Sequence, residues 1–136
     1  QGKFLLCRLP SGRILTYFKP RLNSGKYGQL QLSYMGMSSK THQFTKIYVW
    51  GGTLVENIVQ ALARDVMMYG MKRVEQHPKY EVILTVHDEI VAECDKGAGN
   101  KKEFIGLATE LEPWAKTCPI QIGKKDCWIG KRYRKV

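Results

Sequence analysis

Glu81-Val82-Ile83-Leu84-Thr85-Val86-His87-Asp88-Glu89-Ile90-Val91-Ala92-Glu93, residues 81–93, is the stretch from which the fold is read. Glu81 to Val86 and Ile90 to Glu93 are rich in β-branched side chains and read as two strands. Between them stands His-Asp-Glu, where tight turns favour Gly, Asn and Pro. Two rigid strands thus carry an imidazole and two carboxylates at their junction. Such a mount suits a divalent cation. Mg²⁺ takes carboxylate oxygens and keeps several waters, so one or two carboxylates suffice when substrate phosphates supply the rest. The bare triplet also reads as three solvated turn residues, which is the commoner case.

Upstream lies the clearest helix. Thr53 and Glu56 have the spacing of a capping box, in which hydroxyl and carboxylate each satisfy an orphan N–H. Val55, Ile58, Val59, Leu62, Val66, Gly70 and Val74 recur at three- and four-residue steps, so a helix is expected from Leu54 to Gln76, ending before Pro78. Further upstream, Phe4–Cys7 and Ile14–Phe18 read as a hairpin turning at Pro10-Ser11-Gly12, with Pro20 ending its second strand. Residues 21–28 and 36–46 read as loops. Leu30, Leu32 and Tyr34 alternate with polar residues as one half-buried strand. Downstream, Phe104, Ile105, Ala108 and Leu111 mark a helix over 101–111, Pro119–Ile122 reads as a short strand, and 128–136 as a basic tail. The expected class is α+β: a small antiparallel sheet of hairpins packed against one long and one shorter helix, in a single domain 1–136.

Composition narrows the function. The chain has 136 residues, 43% of them hydrophobic and 25% charged, which is globular rather than disordered. No run of 18 apolar residues marks a membrane span. The net charge of +10 is unevenly laid out. Residues 1–55 hold eight basic side chains and no acid; residues 56–100 hold five basic and eight acidic; residues 101–136 hold nine basic and four acidic. Basic ends favour a polyanion such as nucleic acid. Cys7, Cys94, Cys118 and Cys127 form no C-x-x-C pair, have no His at zinc spacing, and read as reduced cytosolic thiols.

Residues 82–93, Val-Ile-Leu-Thr-Val-His-Asp-Glu-Ile-Val-Ala-Glu, resemble the palm-domain motif C of family A DNA polymerases. The resemblance implies Asp88 as a metal ligand and catalytic residue, Glu89 as the supporting catalytic acid, and His87 beside the primer terminus. Gly51 to Asp65 is similar to the helix preceding motif C in phage and prophage members of that family. It implies that Gln60 contacts the minor groove of new base pairs. The family's asparagine position four residues earlier is Glu56 here, with Asn57 next to it. Asn57, Gln60 and Arg64 are spaced to share one helix face. An amide there can check base-pair shape without reading sequence. Leu9-Pro10-Ser11-Gly12-Arg13-Ile14-Leu15 resembles the hairpin of the same branch, which places Arg13 among the nucleic-acid contacts. Pro113 to Lys116, Pro119-Ile120 and Trp128 to Lys135 resemble its C-terminus.

The resemblance implies a DNA-directed nucleotidyltransferase with two Mg²⁺ ions, one activating the primer 3′-hydroxyl and one stabilising the leaving pyrophosphate. In the family the second aspartate lies in motif A and the nucleotide is held by a fingers helix. Neither segment is in the chain. Asp65, Asp95 and Asp126 lack a motif A surround, and Gly97-Ala98-Gly99 is not a phosphate loop. The chain, which opens on Gln1, is therefore expected to be the C-terminal palm portion of a longer bacterial, phage- or prophage-encoded cytoplasmic enzyme. Its expected partners are template-primer DNA, dNTP and the rest of the polymerase, with no membrane. An exposed palm face implies self-association of the isolated chain. The alternative is a non-catalytic nucleic-acid-binding domain in which Tyr17, Tyr34, Tyr48 and Trp50 stack on bases. A metal-dependent nuclease is a weaker third reading, for want of further carboxylates.

Overall fold

A computed structural model describes residues 2–122 and 127–133. In chain order it contains strands β1 (Phe4–Arg8), β2 (Ile14–Ser24), β3 (Leu30–Met37) and β4 (Phe44–Val49), then helix α1 (Gly51–Glu75). Strands β5 (Glu81–Val86) and β6 (Glu89–Glu93), helix α2 (Lys101–Thr109) and a single 3₁₀ turn at Pro113–Ala115 follow. The class is α+β, as the sequence predicts. The chain divides into two compact units, residues 1–62 and 63–136, with the boundary inside α1. Among the described residues, no helix is long and apolar enough to cross a membrane.

The first unit is an antiparallel sheet in the order β1-β2-β3-β4 with the opening turns of α1. Three expectations change here. β2 does not stop at Pro20 but continues to Ser24. A bulge between Phe18 and Arg21, with Lys19 at φ +47°, takes up the proline, which has no N–H to give a ladder. Residues 44–49 form β4 where loop was expected through residue 46. Phe44, Tyr48 and Val49 pair in register with Met37, Ser33 and Leu32, and the interleaved polar residues suit an exposed edge strand. In β3 the buried side chain is Ser33, at 1% exposure, while Leu30 is 76% exposed. Ser33 lies mid-sheet opposite Arg21 and Tyr48, and its Oγ accepts from Asn23 Nδ2 at 2.8 Å.

Opposed residues of paired strands share a face. One face therefore carries Leu5, Cys7, Leu15 and Tyr17 with Tyr34, Ile47 and Val49. It holds the buried pair Tyr17 and Val49. The Tyr17 and Tyr34 rings meet edge-on at 5.0 Å. Asn57 on α1 donates to Tyr17 Oη at 3.4 Å, and Arg13 Nη2 donates to the Ala61 carbonyl at 2.6 Å. Helix and sheet thus meet through Asn57 and the buried Ala61. Val55 and Val59, expected in the buried stripe, are exposed one step round the helix. α1 also starts three residues early, at Gly51, with Leu54 N–H bonded to the Trp50 carbonyl at 3.2 Å. Thr53 therefore falls inside the first turn and is not the cap.

The second unit packs the later turns of α1, where Asp65, Val66, Gly70 and Val74 are buried. Gly70 lies against the Ala108 carbonyl of α2, and any Cβ there would collide with that oxygen. Arg73 reaches the end of α2, donating from Nε to the Leu107 carbonyl at 3.2 Å and from Nη1 to Glu112 at 2.7 Å. A cation is favourable there, where the last carbonyls of a helix lack partners. Asn100 caps the other end, its side chain accepting from the N–H groups of Lys102 and Glu103. Tyr80, buried, sets its hydroxyl 2.9 Å from Glu103, which Lys79 also holds at 2.9 Å. Pro119–Ile122 forms no strand: the segment is exposed, and Pro119 has no N–H to donate. The tail expectation for residues 134–136, and Asp126, lie outside the described residues.

Candidate active-site turn and nucleic-acid contacts

β5 and β6 pair antiparallel, and Val86 opposes Glu89. His87 and Asp88 are therefore the whole turn, a two-residue connection of the tightest hairpin class. His87 has φ +53°, the left-handed region that favours glycine. The hairpin reverses without Asn-Gly because the ladder on both sides fixes the geometry. A bulge between Val82 and Leu84 lies one turn of the pleat away, and bulges raise local twist beside sites that must aim a side chain. Glu75 on α1 accepts from the Val82 N–H at 2.7 Å, which ties the start of β5 to the helix end.

His87, Asp88 and Glu89 are all exposed. Among the described residues, the Asp88 carboxylate has no hydrogen-bond or ion-pair partner. Glu89 is held: Tyr133 Oη donates to its Oε2 at 2.9 Å. That bond to the neighbouring carboxylate pushes the Tyr133 phenol above its ordinary value. The C-terminal segment thus fastens to the residue next to Asp88. The two residues lie 44 positions apart, and no spacing rule in the sequence signals the contact.

Among the described residues, no three His, Cys, Asp or Glu side chains converge as a metal cage. The turn nevertheless fits a part-site for Mg²⁺. Asp88 presents hard oxygen donors to solvent on a rigid tip, and such a cation accepts one or two carboxylates with phosphates and waters completing its shell.

The residues read as nucleic-acid contacts have separate positions. Gln60 is exposed on α1 within the first unit, with no side-chain partner among the described residues. Asn57, three residues earlier, is half-buried and engaged with Tyr17. Arg13 is engaged with the Ala61 carbonyl. Arg64 is exposed in the second unit, 3.8 Å from Met67 Sδ. Of the four candidate stacking rings, Tyr17 is core and Tyr34 half-buried against it, while Tyr48 and Trp50 are exposed. Trp114 packs edge-on to Tyr69 at 6.0 Å.

The chain is 35% identical over 136 residues, 99% of its length, to the DNA polymerase of Bacillus phage SP02, of which it covers 20%. No protein-family model matches the chain. No solved structure matches it either.

Proposed function

We propose that the chain is the C-terminal palm portion of a family A DNA polymerase and that His87-Asp88-Glu89 is its motif C. The observation that carries the reading is the alignment, over essentially the whole chain, with one segment of a phage DNA polymerase. The turn geometry supports it. A two-residue hairpin brings to its tip one carboxylate without a partner among the described residues, with a second carboxylate fixed beside it by Tyr133.

When bound, Mg²⁺ would supply charge stabilisation for nucleotidyl transfer to a primer 3′-hydroxyl. Asp88 would hold it from this side, and a carboxylate upstream of this chain from the other. Glu89, held by Tyr133, would keep the local potential negative. His87 sets the reversal that aims Asp88 and lies where a primer terminus would come. Gln60, exposed on α1, would meet the minor groove with an amide that can donate to the acceptors of any base pair. The basic ends of the chain would lie along phosphates.

This half-site implies that the 136-residue chain alone does not extend a primer in Mg²⁺. Joined to the rest of its polymerase, it does. Extension by the isolated chain, abolished by Asp88→Ala, would overturn the half-site. Absence of extension by the joined enzyme, with both parts folded, would overturn the polymerase reading.

A further inference from the structure

The sheet of the first unit has a second face, opposite the one that meets α1, and no described element of that unit covers it. Register places Phe4, Phe18, Met35 and Phe44 on it, drawn from all four strands. Their rings form a row, Phe4 to Phe18 at 5.2 Å and Phe18 to Phe44 at 6.5 Å between centroids. The outer two are open to solvent, Phe4 at 51% and Phe44 at 59% exposure. Packing does not explain them.

Cations are interleaved with these rings. Lys19, Arg21 and Lys46 line one pocket of about 230 Å³ over the buried Ser33, beside Phe18 and Tyr48. Lys19 Nζ lies 5.3 Å from the Phe18 ring, and Lys46 Nζ lies 6.0 Å from the Tyr48 ring. The Lys19 position is set by the bulge, whose left-handed backbone turns that residue out of the regular alternation. The sheet strands themselves contribute no carboxylate to offset these charges, since the first acid in the chain is Glu56.

We infer that this face binds single-stranded DNA, with bases stacked on the phenylalanine row and phosphates at the Lys19–Arg21–Lys46 pocket. Charge selects a polyanion. The rings select among polyanions: in a duplex the bases are stacked on each other and their faces are closed, whereas unpaired bases have faces free for aromatic side chains. The site is distinct from the hairpin tip and needs neither metal nor Asp88. It goes beyond the polymerase reading, and its failure would leave the primer-extension test untouched.

The test is fluorescence anisotropy of labelled oligothymidylate and of a matched duplex, with the 136-residue chain in EDTA. The single strand should bind more tightly than the duplex. Its affinity should fall with salt at a log–log slope of about −2, the value for three neutralised phosphates. Phe44→Ala and Lys46→Glu should each weaken binding about fivefold or more, while Asp88→Ala leaves it unchanged. Both sheet side chains are exposed, so thermal unfolding of the variants should match the parent chain. Three results would each overturn the inference: no single-strand binding, preference for the duplex, or binding indifferent to both sheet variants. Gel filtration adds a fourth. If Phe44→Ala converts a dimer to a monomer without changing DNA affinity, the face belongs to a second copy of the chain.

Discussion

Among the described residues, two of the four hairpin connections solve the same problem in opposite ways. Between β1 and β2 the chain reverses over Leu9 to Arg13, closed by Leu9 N–H to the Arg13 carbonyl at 2.8 Å and Gly12 N–H to the Leu9 carbonyl at 2.9 Å. The left-handed position there is a glycine, Gly12 at φ +88°. Between β5 and β6 the chain reverses in two residues, and the left-handed position is His87. A side chain in that conformation costs about 1–2 kcal/mol. The first turn uses the residue that turns easily, whereas the β3–β4 connection bears the same cost at His42, φ +53°. The left-handed backbone of His87 is therefore not what singles out the β5–β6 turn; the proposed role of Asp88 at its tip is, and that role can be tested.

Exchanging the turn chemistry breaks this contrast most strongly. His87→Asn with Asp88→Gly installs the preferred hairpin dipeptide. Thermal or urea unfolding should show stability held or raised by about 1 kcal/mol, while primer extension by the complete polymerase falls about a thousandfold. Unchanged extension would reduce the second turn to a connector. The converse replacement is Gly12→Ala. Nothing lies within 4 Å of the added methyl, so the cost is conformational alone. Urea unfolding should report a loss of about 1–2 kcal/mol, with extension by the folded enzyme nearly unchanged.

Tyr133→Phe sharpens the comparison at smaller scale, because a distant phenol holds the carboxylate beside the second turn. Stability should be nearly unchanged at so exposed a site, and extension should fall by about tenfold at most, as for loss of an outer partner of a metal site. The same contact has a pH signature. The Tyr133 phenol is raised above 10.0 by its bond to Glu89. The folded state thus holds that proton more tightly than the unfolded chain, so the contribution is complete below pH 10.0 and is lost as pH rises through the folded value. Tyrosinate absorbance should show Tyr133 titrating late along with Tyr34 and Tyr80, and Glu89→Gln should bring back Tyr133 alone towards the ordinary range.

How much of this was legible in the sequence follows from how local each feature is. The β5–β6 hairpin, α1 and α2 are written in short-range patterns, and all appear within a few residues of expectation. β4 and the far half of β2 were hidden. A bulge at Lys19-Pro20 reads as a strand end, and Thr45-Lys46 reads as loop until a neighbouring strand supplies the ladder. The stripe of α1 misled at Val55 and Val59 because periodicity marks apolar positions, not what faces them. Asp88 could be singled out as a candidate because His-Asp-Glu and its flanking strands, residues 82–93, together resemble motif C. Its neighbour's anchor, Tyr133, could not, since nothing local couples residues 44 positions apart. The phenylalanine row likewise needs the register of four strands before it exists.

The account stands on one carboxylate at one hairpin tip. The direct measurement is primer extension in Mg²⁺ by the complete polymerase carrying Asp88→Asn, a substitution that keeps shape but removes the charge. It is run beside the parent enzyme at matched thermal stability. The account predicts unchanged folding and loss of extension by about a thousandfold. Extension within a few-fold of the parent enzyme would contradict it.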